Sequence, residues 1–385
     1  MKQIKLGIIG LGNMGSAHCQ FIIKGQTPEI ALAAVAERLP ERREQGRQQL
    51  PEGVLMFEEG SALIESRSCD AVLIATPHNQ HPELAILAFR HQQHVMCEKP
   101  AGVDTLSVRE MNREADAHAD LAFGMMFNQR TNALYRRMHQ MIQQGELGQI
   151  KRVNWIVTDW YRTQFYYDSG AWRATWAGEG GGVLLNQCPH NLDLLQWLVG
   201  MPRMVQAFTH NGKWHDIEVE DDVTAYLEFE NGATGVFITS TGDAPGTNRL
   251  EVTGTRGRLV CEDNRLWFDQ LLVDERDFCK TSDQGFATPP LNRHEVETDG
   301  SNPQHVGVLN AFAAHILRGE PLIADGREGL HGLMLSNAMH LSSWLGQPVS
   351  LPIDEARFLT ELDRRRATSR HKEGSGRLLD TSGSY

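Results

Sequence analysis

The chain has 385 residues, 41% of them hydrophobic and 22% charged, with a formal net charge of −12 at pH 7. That length and apolar content suit two domains with sizeable cores, and the length alone would allow three; the negative balance argues against a nucleic-acid surface, which needs concentrated basic charge. No apolar run reaches the length of a membrane span, and the opening hydrophobic run reads as a first strand and not as a signal peptide.

In chain order, Lys5 to Ile9 is a short apolar run, followed at once by Gly10-Leu11-Gly12-Asn13-Met14-Gly15. A helical stretch begins near Ser16, and a second apolar run, Ala31 to Ala36, ends at Glu37. Strand, glycine turn, helix, strand and acid in this order form a dinucleotide-binding fingerprint. Gly10 permits the tight turn, Gly12 lets a pyrophosphate approach the backbone, and Gly15 lets the helix pack close. The helix N-terminus offers free N–H groups to the phosphates. Glu37 lies where a carboxylate accepts from both ribose hydroxyls and repels a 2′-phosphate, which favours NAD over NADP. Arg38, Arg42 and Arg43 leave NADP open, because a guanidinium could hold that phosphate.

Alternation continues to about residue 124. Ala71 to Ala75 is a buried strand ending in Thr76-Pro77-His78; Pro82 to Arg90 is a helix, His94 to Cys97 a strand, Thr105 to Ala119 a helix and Ala122 to Met125 a strand. Such alternation with fully apolar strands predicts a doubly wound parallel sheet, with ligands beyond the strands' carboxyl ends. Gly10–Gly15, Glu37, Thr76–His78 with nearby His81, and Glu98-Lys99-Pro100 all sit at such ends.

The pattern then changes. Thr131 to Gln144 is an amphipathic helix. Strand-like runs follow at Val153 to Thr158, Met204 to Thr209, Val223 to Phe229, Thr234 to Ser240, Arg249 to Thr253, Leu259 to Cys261 and Leu266 to Phe268. Glu230-Asn231-Gly232 signals a hairpin, and Gly254 to Gly257 suggests another. These predict a mainly antiparallel sheet with helices on one face, at Asn186 to Val199, Val306 to Leu317 and Gly329 to Leu345. The expected division is a dinucleotide domain over 1–124, a substrate and oligomerisation domain over 125–366, and a flexible tail or arm over 367–385. The six cysteines are scattered without metal spacing and read as reduced thiols of a cytoplasmic protein. The histidines show no metal pairing, so no metal is expected.

Two places could carry chemistry. Glu98-Lys99-Pro100 puts a charged pair where a nicotinamide would lie, though a surface salt pair reads equally well from the tripeptide alone; Pro100 could carry a cis bond. The other is Gly180-Gly181-Gly182 followed by Asn186, Cys188-Pro189 and His190. Pro189 suits a first helical turn, which places His190 near a helix N-terminus, where the dipole lowers its pKa. A neutral imidazole suits a general base, although a lone histidine is more often structural. Between them, Trp160, Arg162, Tyr166, Trp172 and Arg173 form an aromatic and cationic stretch that could stack on and bind a sugar ring; core packing takes some of these rings. Asn128 and Arg130 begin the second half and could line the cleft.

These motifs together resemble the Gfo/Idh/MocA family: the glycine turn, Ala34-Val-Ala-Glu37-Arg38, Ile74-Ala-Thr76-Pro77, Glu98-Lys99-Pro100, Gly180-Gly-Gly182 with Asn186 and His190, and Glu220-Asp-Asp222. The resemblance spans nearly the whole chain. It implies a Rossmann domain followed by an open-faced sheet domain, and NAD(P)-linked oxidation or reduction of a hydroxyl on a sugar, inositol or related polyol. Lys99 would polarise that hydroxyl and His190 would exchange its proton. Many members carry Asp where this chain has Asn186; an amide cannot exchange a proton at neutral pH, so Asn186 is assigned to substrate orientation. Lys99 could instead serve as the base if desolvation lowers its pKa. The expected activity is an NAD-dependent dehydrogenase of a sugar, glycoside or cyclitol. The competing activity is an NAD-retaining glycosidase that oxidises, eliminates, hydrates and reduces. A non-catalytic NAD sensor is a third reading, disfavoured by retention of Lys99 and His190. A homodimer or homotetramer through the C-terminal sheet is expected.

Overall fold

The computed structural model describes residues 2–372. The tail expectation therefore falls outside the described residues from 373 onward. The first sheet is six-stranded and parallel, in the order β3-β2-β1-β4-β5-β6. Its strands are β1 (Ile4–Ile9), β2 (Ile30–Ala36), β3 (Leu55–Phe57), β4 (Ala71–Ile74), β5 (His94–Cys97) and β6 (Phe123–Met125); the helices between them are α1 (Asn13–Ile23), α2 (Pro40–Gln49), α3 (Gly60–Glu65), α4 (His81–Arg90) and α5 (Thr105–Ala117). β4 is buried at every residue because helices cover both faces of the sheet, which is why these strands read as unbroken apolar runs. Strand order reverses between β1 and β4, which opens a crevice beyond their carboxyl ends.

The chain continues through α6 (Ala133–Gln143), β7 (Ile150–Val157), α7 (Gln164–Asp168), α8 (Pro189–Val199), β8 (Met204–Asn211), β9 (Glu220–Glu228), β10 (Thr234–Ser240), β11 (Asn248–Gly254), β12 (Gly257–Glu262), β13 (Arg265–Leu271), α9 (Glu275–Thr281), β14 (Leu291–Glu295), α10 (Gln304–Arg318), α11 (Gly329–Leu345), β15 (Val349–Ser350) and α12 (Glu355–Arg366). β7 to β15 form a second, nine-stranded sheet in the order β14-β13-β12-β11-β7-β10-β9-β8-β15. Both turn signals close antiparallel hairpins, β9 to β10 and β11 to β12. One pairing, β7 with β10, is parallel, because the chain leaves the sheet after β7 and returns through α8. α8 begins at Pro189, whose missing N–H costs nothing in a first turn.

One helix lies elsewhere than its sequence suggested. α10, expected on the antiparallel sheet, packs Val308, Leu309, Phe312 and Ala313 into the cluster holding Leu6, Ile8 and Met96 of the first sheet. Its apolar period shows which face is buried but not against what. Asn310 and Arg318 tie it to Gln26 and Glu29, just before β2. The last described residues also turn back onto their own chain: Ser369 Oγ accepts from Ala177 N–H at 3.1 Å, and Arg370 pairs with Asp216 at 2.9 Å. No helix among the described residues is long and apolar enough to cross a membrane.

Candidate active site

The crevice begins at the glycine turn. α1 starts at Asn13, earlier than Ser16, and has Gly12 as an N-cap with no side-chain hydrogen bond, so no capping side chain stands over its N-terminus. Gly10 has φ +97°, and a Cβ on Gly15 would lie 1.8 Å from the Gly10 carbonyl oxygen, so neither position admits a side chain. A Cβ on Gly12 would meet only Arg42 Nη1, at 3.8 Å, so the bare side of the turn is open. Thr76 and Pro77 follow β4, and a Cβ on Gly10 would meet the Ala75 carbonyl oxygen at 2.6 Å and Thr76 N at 3.3 Å. An uncapped helix start, an open glycine face and an acid at the end of β2 together fit a dinucleotide.

Glu37 is more constrained than its spacing suggested. Oε2 accepts from Leu11 N–H at 2.8 Å and Oε1 from Leu39 N–H at 3.0 Å. The carboxylate thus pins the glycine turn to the end of β2. Arg43 donates to the carbonyls of Glu37 and Arg38, while the exposed Arg38 side chain lies 3.3 Å from Glu59.

Glu98 is enclosed, so the surface-pair reading of Glu98-Lys99-Pro100 fails. Its Oε1 lies 2.8 Å from His18 Nε2 of α1, and its Oε2 accepts from Lys99 N–H at 3.2 Å. Burial alone would raise this carboxyl; the His18 hydrogen bond and the charges of His18, His305 and Lys99 outweigh it and hold it at about 2. The following bond, Lys99-Pro100, is cis. Lys99 Nζ donates to the Asn186 backbone oxygen at 3.0 Å, across the cleft. Burial pushes this ammonium below the ordinary lysine value; Glu98 and Glu179 oppose the shift, and Arg173 and Arg162 add to it. His81, placed with the cofactor residues by position, is fully enclosed and sets both ring nitrogens against backbone carbonyls, Thr76 O at 2.8 Å and Pro100 O at 2.7 Å. It braces the wall between β4 and β5.

On the facing side, a Cβ on Gly182 would fall 2.0 Å from the Glu220 carbonyl oxygen. The Glu220 carboxylate accepts from Gly182 and Leu184 N–H groups at 2.9 and 3.0 Å, which anchors this loop to β9. The loop delivers Asn186 and then His190, in the first turn of α8. His190 is nearly buried, its Nδ1 has no hydrogen-bond partner among the described residues, and its ring stands edge-on to Phe127. Its pKa is held well below the ordinary histidine value, first by burial and then by the charges of Lys99 and His305; the direction is the one expected, with burial as the main cause.

The Asn186 side chain donates Nδ2–H to Glu179, a buried carboxylate that sequence reasoning passed over. Its only signal was one acid set inside the apolar and glycine-rich run Ala177 to Gly182. Burial raises the Glu179 carboxyl, while Arg173, the Ala174 N–H and Asn186 oppose that shift.

The aromatic stretch closes over these groups. Arg173 lies over the Tyr166 and Trp172 rings and donates to Tyr166 Oη at 2.8 Å, where Gln187 also donates at 3.0 Å. Trp172 stands edge-on to the buried His78 ring. Arg162 lies over Trp160 and Tyr166, and Trp160 Nε1 donates to Asn191 at 3.3 Å. Two residues differ from the cleft-lining expectation. Asn128 is sealed and donates to Gln304. Arg130 spends its guanidinium on Asp193 and Glu328, at 2.6 and 2.8 Å, so it ties the β6 exit to α8.

Comparison with known proteins agrees with the two-sheet fold. Residues 4–124 match the model of an oxidoreductase family with an NAD-binding Rossmann fold, and residues 135–260 match the GFO/IDH/MocA C-terminal domain. The chain is 25% identical over 342 residues to myo-inositol 2-dehydrogenase of Thermotoga maritima, covering 87% of this chain and 95% of that enzyme. It is 25% identical over 407 residues to levoglucosan dehydrogenase of Pseudarthrobacter phenanthrenivorans, covering 92% and 95%. Among solved structures, the WlbA dehydrogenase from Bordetella pertussis in complex with NADH and UDP-GlcNAcA superposes with a TM-score of 0.77 at 26% identity, covering 92% of this chain and 99% of that one.

Proposed function

The chain belongs to the GFO/IDH/MocA family of NAD-dependent oxidoreductases, and from that premise we propose that it moves hydride between nicotinamide and a ring hydroxyl of a sugar, glycoside or cyclitol. The observation that carries this reading is the meeting of Lys99, at the carboxyl end of β5, with the loop that leads into His190. Relatives that act on inositol and levoglucosan support the substrate class.

Lys99 donates a hydrogen bond to the reacting hydroxyl and stabilises negative charge on its oxygen. His190, held neutral, takes the hydroxyl proton as the carbon loses hydride, and returns it in the reverse direction. NAD, when bound, supplies the hydride acceptor. Gly12 and the start of α1 hold its pyrophosphate, and Glu37 faces the ribose. Trp172, Arg173, Tyr166, Trp160 and Arg162 stack on and bind the sugar, Asn186 orients it, and Asn128 supports the wall behind. The open face of the second sheet aligns Phe208, Thr224, Ile238 and Ile156 in one row, with Phe208 59% exposed. Such a face supports pairing of two or four copies; sedimentation of a monomer would reject that.

The test is a panel of polyols, sugars and glycosides incubated with NAD, following NADH absorbance and products together. A dehydrogenase yields NADH and ketone in equal amounts, with any aglycone still attached. Release of aglycone with no accumulated NADH would replace this reading with oxidoreductive hydrolysis.

A further inference from the structure

Glu179 is a buried carboxylate at 2% exposure, and among the described residues it makes no direct ion pair. Burying such a charge without a paired cation is costly, so its surroundings must justify it. Both oxygens are matched to donors. Oε2 accepts from Ala174 N–H at 2.6 Å, and Oε1 accepts from the Asn186 amide. Asn186 also receives Lys99 on its backbone oxygen. One residue therefore touches the carboxylate with its side chain and the catalytic cation with its main chain.

We propose that Glu179 is a positioning residue of the reaction centre: acting through Asn186, it adds to Glu98 a second negative charge that balances Lys99, and it sets which end of the Asn186 amide faces the substrate. This rests on the dehydrogenase reading for its catalytic consequence but not for its geometry. A carboxylate only accepts, so Glu179 draws the NH2 group of Asn186 toward itself and leaves Oδ1 as an acceptor for a substrate hydroxyl. A second negative charge, besides that of Glu98, then comes from the loop before α8 and reaches position 186 as a hydrogen bond. Lys99 feels Glu98 and Glu179 as anions and Arg173 and Arg162 as cations, with His78 and His190 beside it, both pushed to the neutral form. Removing Glu179 alone shifts that balance toward the neutral amine.

The experiment uses the full chain and three variants: Glu179→Gln, Asn186→Asp, and both together. The first readout needs no substrate. Acylation of Lys99 by an amine-reactive acetylating reagent is followed against pH by peptide mass spectrometry. Glu179→Gln is expected to move the midpoint of Lys99 acylation down by about 1 pH unit, the size of one nearby charge, and the double variant to restore it by placing a carboxylate at 186. The second readout is NADH-linked turnover. Glu179→Gln should lower kcat on the order of 10-fold or more while NADH affinity holds, and the double variant should recover much of the loss. A purely structural glutamate would move neither the acylation midpoint nor the rescue. An unmoved Lys99 profile in Glu179→Gln, or a double variant no better than either single one, overturns the proposal even with the dehydrogenase active. A shifted and restored Lys99 profile in a protein that turns over none of the panel would sustain the placement of Glu179 and reject the dehydrogenase reading. If Glu179→Gln alone loses NADH binding, the double variant decides: a restored midpoint supports the proposal and an unrestored one rejects it.

Discussion

Lys99 Nζ and the backbone oxygen of Asn186 meet at 3.0 Å across a separation of 87 residues. That bond joins the strand end of the first sheet to the loop anchored on the second, and it brings Lys99 to the segment that leads into His190. The contact places the candidate site at the interface between the two sheets.

Lys99→Ala and His190→Ala should each lower turnover by on the order of 100-fold or more, the usual contribution of a positioned acid–base group. NADH affinity, measured by fluorescence titration, should stay near that of the parent protein, because neither residue belongs to the glycine turn. Near-full activity in His190→Ala would move the base elsewhere.

Glu37→Ser should weaken NAD and ease NADP, because it removes ribose hydrogen bonds and the repulsion of a 2′-phosphate. The variant also removes the anchors on Leu11 and Leu39, so NAD affinity should fall further than ribose contacts alone explain. Parallel titration with both cofactors checks this, and an unchanged preference would take Glu37 out of the ribose site.

Most of the architecture was legible because it rests on short-range rules. β5 at His94–Cys97, β10 at Thr234–Ser240 and α11 at Gly329–Leu345 have the bounds their patterns predict. Partnership was less legible. The apolar stripe of α10 fits either sheet, and only the folded chain shows it beside Leu6 and Ile8. Lys99 and His190 stood out by motif, whereas Glu179 carried no motif, and its place beside Asn186 depends on how the glycine loop turns back. Arg130 misled for a related reason: its position at the start of the second half is near the cleft, but Asp193 and Glu328 hold it away.

Gly182→Ala should destabilise the protein and cut activity, since its Cβ would sit 2.0 Å from the Glu220 carbonyl oxygen, which belongs to a buried strand and cannot move aside. Overpacking of this kind costs about 1–3 kcal/mol. Gly285→Ala is the control, because nothing lies within 4 Å of its added carbon. Equal melting temperatures for the two variants would refute the anchoring of the loop by Glu220.

Acid should weaken the fold partly through Glu98. Its folded pKa, about 2, lies below the ordinary value of 4.5, so its contribution is fully present above the ordinary value and is lost as pH falls through the folded one. Glu98→Gln removes that contribution. Denaturant unfolding should show the parent losing more stability than Glu98→Gln between about pH 4.5 and pH 2. Parallel losses in the two proteins would mean that Glu98 and His18 do not form a charge-assisted pair.

The pH profile of oxidation follows from two depressed groups. His190 must be neutral to accept a proton, and burial with the charges of Lys99 and His305 keeps it so well below the ordinary histidine value. The acid limb of kcat/KM should therefore lie below about pH 6.5, the ordinary histidine value. Lys99 must be protonated to polarise the hydroxyl, and burial lowers it from the ordinary lysine value of 10.5. Activity should thus fall on the alkaline side before that value is reached. Lys99→Arg separates the two limbs, since a guanidinium keeps its proton throughout this range. Its residual activity, though lower, should lose the alkaline limb and keep the acid one. An alkaline limb that persists unchanged in Lys99→Arg would assign it to another group and leave Lys99 with a binding role alone.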